Sequence, residues 1–150
     1  MPRLRAKSKD TEPLQTIGWR ERVSLPLLGI GLIVAKIDTG AKSAALHATD
    51  IRQVGSHVEF NVPVDGRNHR CRLALKGQKR IKSSSGHSQH RALVETEVKI
   101  GAQRLKIDVT LTDRTDMGVP MLLGRSSLQG RFLVHPARSY LLSAMKRKAT

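Results

Sequence analysis

Apolar residues recur with a period of two in segment after segment of this chain, which is the pattern of strands with one buried face. The cleanest case is Leu105, Ile107, Val109 and Leu111, with Lys106, Asp108 and Thr110 on the other face. Residues 57–64 alternate in the same way, and Asp65-Gly66 is a strong hairpin signal. Cys71, Leu73 and Leu75 alternate on the return strand, and Pro63 marks the preceding strand as an edge. Residues 91–100 alternate through Val98 and Ile100 and turn at Gly101-Ala102. Nearer the start, Val23-Ser24-Leu25 predicts a short strand before a turn at Pro26 and Gly29-Ile30-Gly31. Residues 32–37 form a run rich in branched side chains. Ala44 opens a strand expected to reach Val54. Residues 120–125 predict a short buried strand ending in Gly124, and residues 126–129 one or two helical turns. Phe132-Leu133-Val134 and Tyr140-Leu141-Leu142 are the expected last strands, separated by Pro136. Short strands with closely spaced turn signals define an all-β domain, a barrel or a sandwich.

The polar segments set the boundaries. Residues 1–13 read as a flexible basic arm, residues 14–143 as one domain, and residues 144–150 as a basic tail. Residues 77–90 are polar and basic and leave two readings, a mobile loop or a hairpin. Residues 112–118 form a polar loop. Trp19 is expected to pack, with Arg20 free to pair with a carboxylate.

Charge changes the picture more than composition does. The 150 residues carry a formal charge of +15, which favours acidic partners such as nucleic acid, a polyanionic peptide or an anionic surface. Aromatic residues make up 3% of the chain, which argues against base stacking as the main mode of any RNA contact. Phosphate contacts need no aromatics, so a ribosome or RNA contact stays open. Cys71 is the single cysteine, so no intrachain disulfide forms and an oxidising compartment gains no support. Residues 23–35 are apolar but too short for a membrane span, and Pro26, Gly29 and Gly31 interrupt them. The expectation is a cytoplasmic protein with no membrane partner.

One stretch carries chemistry. Asp38-Thr39-Gly40-Ala41 follows the hydrophobic strand 32–37 directly. A carboxylate at the end of a buried strand needs partners. A threonine supplies a hydroxyl, and a glycine permits a tight turn. With the later Leu122-Leu123-Gly124-Arg125, the stretch resembles the interlocked active-site segments of retropepsin-like aspartic peptidases. Further segments agree in order: Gly18-Trp19-Arg20-Glu21, Val23-Ser24-Leu25-Pro26, Ala45-Leu46-His47-Ala48 and Gly130-Arg131-Phe132-Leu133-Val134. Over residues 17–142 the chain is similar to the RimK-associated retropepsin-like family, also labelled ATP-dependent zinc proteases.

This resemblance implies a closed all-β barrel with one short helix after the Leu-Leu-Gly segment. It implies a homodimer, because the chain has one Asp-Thr-Gly and cannot be a bilobed single-chain enzyme. Asp38, Thr39 and Gly40 would be the catalytic residues. The two Asp38 carboxylates would share a proton, one activating water and the other polarising the scissile carbonyl. Thr39 would lock the loops across the dimer. Lys42, Arg91 and Arg125 would line a site for an acidic peptide. Lys42 and Arg91 could equally be a solvated face, and Arg125 a structural ion pair beneath the loop. Residues 79–90 would be the flap, with Ser84, Ser85 and Gly86 offering backbone donors, or else an ordinary surface loop. The link to a glutamate ligase implies α-linked glutamate tails as substrate, the tail of ribosomal protein S6 being one candidate.

Two other readings stand beside this one: a non-catalytic basic module binding RNA or the ribosome, and a zinc-dependent hydrolase. His47, His57, His69, Cys71, His87, His90 and His135 are the possible ligands, and His87-Ser88-Gln89-His90 has a tempting spacing. There is no His-Glu-x-x-His, no paired cysteine spacing and no phosphate-binding loop. No metal and no cofactor are expected.

Overall fold

A computed structural model describes residues 13–82, 86, 88–114 and 118–143. The arm, apart from Pro13, and the basic tail lie outside the described residues. Twelve strands run in chain order: β1 (Gln15–Gly18), β2 (Arg20–Leu25), β3 (Ile30–Ile37), β4 (Ala44–His47), β5 (Thr49–Val54), β6 (His57–Val64), β7 (Arg67–Ala74), β8 (Gly77–Lys82), β9 (Ser88–Ile100), β10 (Gln103–Thr112), β11 (Met121–Leu123) and β12 (Phe132–His135). One short helix, α1 (Arg125–Leu128), follows β11.

Six strands close into a barrel in the order β10-β4-β11-β3-β2-β9, with β9 returning to β10. The expected all-β barrel with a short helix after Leu-Leu-Gly is therefore the observed architecture. Strand β8 extends the sheet as a hairpin partner of β9. Strands β5, β6 and β7 form a separate three-stranded sheet, and β1 pairs in parallel with β12. The alternation in β10 is borne out, since Leu105, Ile107, Val109 and Leu111 are all buried. Thr110, expected on the polar face, is buried as well, and its hydroxyl donates to the Ala44 carbonyl at 3.3 Å. One apolar cluster joins the barrel strands to Val58, Phe60 and Val62 of β6.

Four expectations need correction. Strand β6, marked as an edge by Pro63, is the central strand of its sheet, between β5 and β7, and Pro63 is accommodated because β5 pairs with β6 only as far as Asn61. Residues 44–54 are not one strand. The chain leaves the barrel at Ala48, whose N–H donates to the Thr112 carbonyl at 3.0 Å, and then joins the second sheet as β5. Tyr140-Leu141-Leu142 is not a strand: Tyr140 has φ +56°, and residues 141–143 are helical. Their N–H groups converge on the carboxylate of Glu21, at 2.8 Å from Leu141 and 3.1 Å from Ser143. Consecutive amides turned to one side belong to a helix start, whereas a strand points them alternately to its two edges. Arg20 makes no ion pair among the described residues. Its guanidinium stacks 4.2 Å from the Trp19 ring centre and 5.3 Å from that of Tyr140.

Candidate active site

Asp38 follows the last residue of β3, and the fold fixes its backbone from two sides. Strand β11 lies between β3 and β4, parallel to the first and antiparallel to the second. The two strands it separates are the ones that the Asp38 loop connects. The Asp38 N–H donates to the Leu123 carbonyl at 2.9 Å, continuing the β3–β11 ladder by one residue. The loop then turns tightly: Ala41 N–H donates to the Asp38 carbonyl at 3.2 Å, and Gly40 N–H to Asp38 Oδ1 at 3.0 Å. Asp38 is half-buried, while Thr39 and Gly40 are exposed.

The start of α1 latches this loop from below. Arg125 N–H donates to the Ala41 carbonyl at 2.8 Å and Ser126 N–H to the Lys42 carbonyl at 2.9 Å. These are amides that a helix start leaves unpaired, so loop and helix satisfy each other. The approach requires glycine at position 124. A β-carbon there would stand 2.5 Å from the Ser43 carbonyl oxygen and 2.8 Å from that of Ala41. The Arg125 side chain completes the latch, its Nη1 donating to the Thr39 carbonyl at 3.0 Å.

A cleft of about 450 Å³ opens beside Asp38. Among the described residues Asp38 is its one acidic lining residue. Lys42, Lys79, Arg80, Arg91 and Arg114 line it together with the apolar Ile81 and Leu122. Burial, with the Arg114 charge adding to it, pushes Arg91 below the usual guanidinium range. The Arg91 Nε donates to Gln89 Oε1 at 2.9 Å, which fixes the direction of the side chain.

Asp38, Lys42 and Arg91 thus meet in one cleft. Arg125 does not line it and sits under the loop, where it holds Thr39. Gly86 is exposed with φ +90° between β8 and β9 and does not line the cleft either. Ser84 and Ser85 lie outside the described residues. Residues 77–90 resolve into the hairpin alternative, with β8 and β9 paired from Gly77↔Leu93 to Lys82↔Ser88. Lys79, Arg80 and Arg114 were missed. The signal for Lys79 was its alternation with Ile81, and it becomes readable only once the hairpin register puts Lys79 opposite Arg91.

The histidines serve structure where their bonds are visible. His47 Nδ1 accepts the Arg114 N–H at 3.1 Å, and His135 Nδ1 accepts the Ala137 N–H at 3.1 Å. Among the described residues no three His, Cys, Asp or Glu side chains lie close enough to hold a metal ion, and His87 is not among them. No helix among the described residues is long and apolar enough to cross a membrane.

An Asp-Thr-Gly loop interlocked with an apolar strand and the helix after it, all on a closed barrel, is the frame of a retropepsin-like aspartic peptidase. Comparison with known proteins names the group. Residues 16–144 match the family described as RimB-like, retropepsin-like aspartic endopeptidase RimB. The chain belongs to this family of protease-type hydrolases. It is also similar to proteins named probable alpha-L-glutamate ligase. The one from Desulfotalea psychrophila is 35% identical over 141 residues, covering 89% of this chain and 30% of the relative. The one from Shewanella pealeana is 33% identical over 134 residues, covering 84% of this chain and 29% of the relative. The chain thus spans less than a third of the length of the curated relatives it matches. A solved structure of a Legionella pneumophila protein of unknown function has a TM-score of 0.74 and 28% identity, covering 85% of this chain and 98% of that one.

Proposed function

We propose that this chain is one half of a homodimeric aspartic peptidase that cuts acidic peptide tails, with α-linked glutamate tails as the substrate class. The observation that carries the reading is the placement of Asp38. It stands at the edge of a cleft whose other charged lining residues, among the described ones, are all basic, next to exposed Thr39 and Gly40 that a second copy can reach. In the dimer two Asp38 carboxylates meet and share one proton, because two like charges about 3 Å apart cannot both ionise easily. The ionised carboxylate takes a proton from water as its oxygen attacks the peptide carbonyl carbon. The protonated one donates to the carbonyl oxygen. A proton then passes to the amide nitrogen as the C–N bond breaks. Thr39 ties the two loops together, and Arg125 holds the Thr39 backbone in place for that contact.

The substrate class draws support from two directions. The net charge of +15 attracts polyanions, and the curated relatives that contain a matching segment carry the name of a glutamate ligase. Ribosomal protein S6 is one protein whose tail fits the class. A cytoplasmic setting goes with this reading, since the lone Cys71 leaves no intrachain disulfide to be formed.

The test is Asp38→Asn. Hydrolysis of poly-α-glutamate is expected to vanish, while circular dichroism and sedimentation show fold and dimer unchanged. Activity that survives the substitution refutes the assignment. Loss of activity with a chelator, restored by zinc, would favour the metal hydrolase instead. Binding to RNA with a steep salt dependence, and no hydrolysis of any peptide, would favour the non-catalytic module.

A further inference from the structure

The β8–β9 hairpin contains a juxtaposition that folding alone disfavours. Lys79 and Arg91 are direct cross-strand partners. Residues directly opposite on antiparallel strands project to the same face with their β-carbons about 5 Å apart, and like charges placed so repel. Both line the cleft beside Asp38, as do Lys42 and Arg114 from other parts of the chain. Some surface cations elsewhere on the protein are paired. Lys76 meets Asp108 at 2.7 Å, Arg104 meets Glu97 at 2.9 Å, and Arg70 meets Asp50 at 3.2 Å. Among the described residues no ion pair involves Lys42, Lys79 or Arg91. Arg91 is partly desolvated as well, and its charge is disfavoured by burial and by Arg114. A carboxylate placed between Lys79 and Arg91 removes the repulsion and gains charge-assisted hydrogen bonds from both. An incoming anion relieves the repulsion within the Lys79–Arg91 pair directly.

We propose that Lys79 and Arg91 form a carboxylate clamp on the flap, and that the twofold axis of the dimer repeats it, so that cleavage requires acidic side chains on both sides of the scissile bond. The inference rests on the homodimeric peptidase reading and adds a specificity rule to it. A closed dimer presents the same surface from each subunit, so a clamp on one side of the paired Asp38 residues must have a copy on the other. A peptide chain is not itself twofold symmetric, but an acidic run offers carboxylates in both directions. Such an enzyme cuts inside an acidic run and leaves at least one acidic residue on the protein body. It does not cut at the junction between tail and body.

Peptides of equal length test this, with glutamates on both sides of the centre, on the amino side alone, or on the carboxyl side alone, glutamine filling the other half. The two-sided peptide should show the highest kcat/KM, with each one-sided peptide slower by about tenfold, the scale of one lost charge-assisted bond. K79Q and R91Q should lower kcat/KM for the two-sided peptide mainly through KM and shrink its advantage over the others. Thermal melts show that each variant remains folded. Equal cleavage of all three peptides, or an advantage unchanged in both variants, overturns the proposal. Anisotropy of the same labelled peptides on Asp38→Asn protein separates this inference from the peptidase reading. If nothing is cleaved by the wild type, the peptidase reading fails. Tighter binding of the two-sided peptide, lost in D38N/K79Q, would still uphold the clamp, and equal binding of all three would refute it.

Discussion

Glu21 lies within barrel strand β2 and Asp38 directly after barrel strand β3, and the fold treats these two carboxylates in opposite ways. Glu21 is fully buried and saturated. Its two oxygens accept from Gly18 N–H at 2.8 Å, Leu141 N–H at 2.8 Å, Ser143 N–H at 3.1 Å and the Ser143 hydroxyl at 2.9 Å. Asp38 is half-buried, and among the described residues the Gly40 N–H is the one donor to its side chain. A buried carboxylate with every lone pair engaged is a structural tie, because it has no capacity left for a substrate or a water. A carboxylate held by its backbone and left open at its side chain can do chemistry. Rigidity comes to Asp38 through the main chain, from Leu123 on one side and the α1 latch on the other.

The widest separation should come from removing each carboxylate. Glu21→Ala strands several buried donors at once and should cost about 3–5 kcal/mol in denaturant unfolding. Asp38→Ala loses a single partly exposed hydrogen bond and should cost no more than about 1 kcal/mol. Comparable losses at the two positions would erase the distinction between tie and site. Gly124→Ala is intermediate. Its β-carbon meets backbone carbonyls that cannot rotate away, so a loss of about 1–3 kcal/mol is expected from crowding. The same change should reduce hydrolysis even where the protein remains folded, because the displaced atoms belong to the Asp38 loop. Wild-type activity in folded Gly124→Ala protein would mean the latch does not position the site.

The smallest effect belongs to a third carboxylate. The Arg52 hydrogen bond, with the Arg52 and Arg70 charges behind it, holds Asp50 below the usual carboxylate range, and burial opposes them. A depressed folded pKa means stability that is present above the ordinary value near 3.8 and lost as pH falls through the lower folded value. Asp50→Asn should therefore lower the melting temperature slightly at neutral pH, with the difference closing in acid. Asp50 is exposed on β5, so the shift should be small and sensitive to salt. A difference that persists unchanged in strong acid would rule out charge as its source.

Much of this was legible in the chain because the barrel strands obey the period-two rule. β10 and β6 could be read directly, and Asp38-Thr39-Gly40 stood out because it follows an apolar run. What could not be read depended on partners far away in sequence. The helical turn at residues 141–143 looks apolar enough for a strand, and only the Glu21 carboxylate, about 120 residues earlier, turns its amides to one side. The break at Ala48 is hidden because the sequence stays strand-like while the chain changes sheets. Lys79 looked like one more cation in a basic stretch, and its meaning came from the residue across the hairpin. Arg125 was given to substrate binding or to an ion pair; its side chain instead hydrogen-bonds a backbone carbonyl, which no residue pattern announces.

The insertion of β11 between β3 and β4 has a consequence in time. The Asp38 loop connects two strands that cannot complete their pairing until residues 121–123 arrive between them. The contact from Arg125 to Thr39 spans 86 positions. Pairings of that separation are slow to close during folding. A chain still being synthesised, with Asp38 made but α1 not yet available, has a β3 edge without its neighbour and an unlatched loop. The Asp38 loop therefore cannot take its final form until residues far later in the chain have been made.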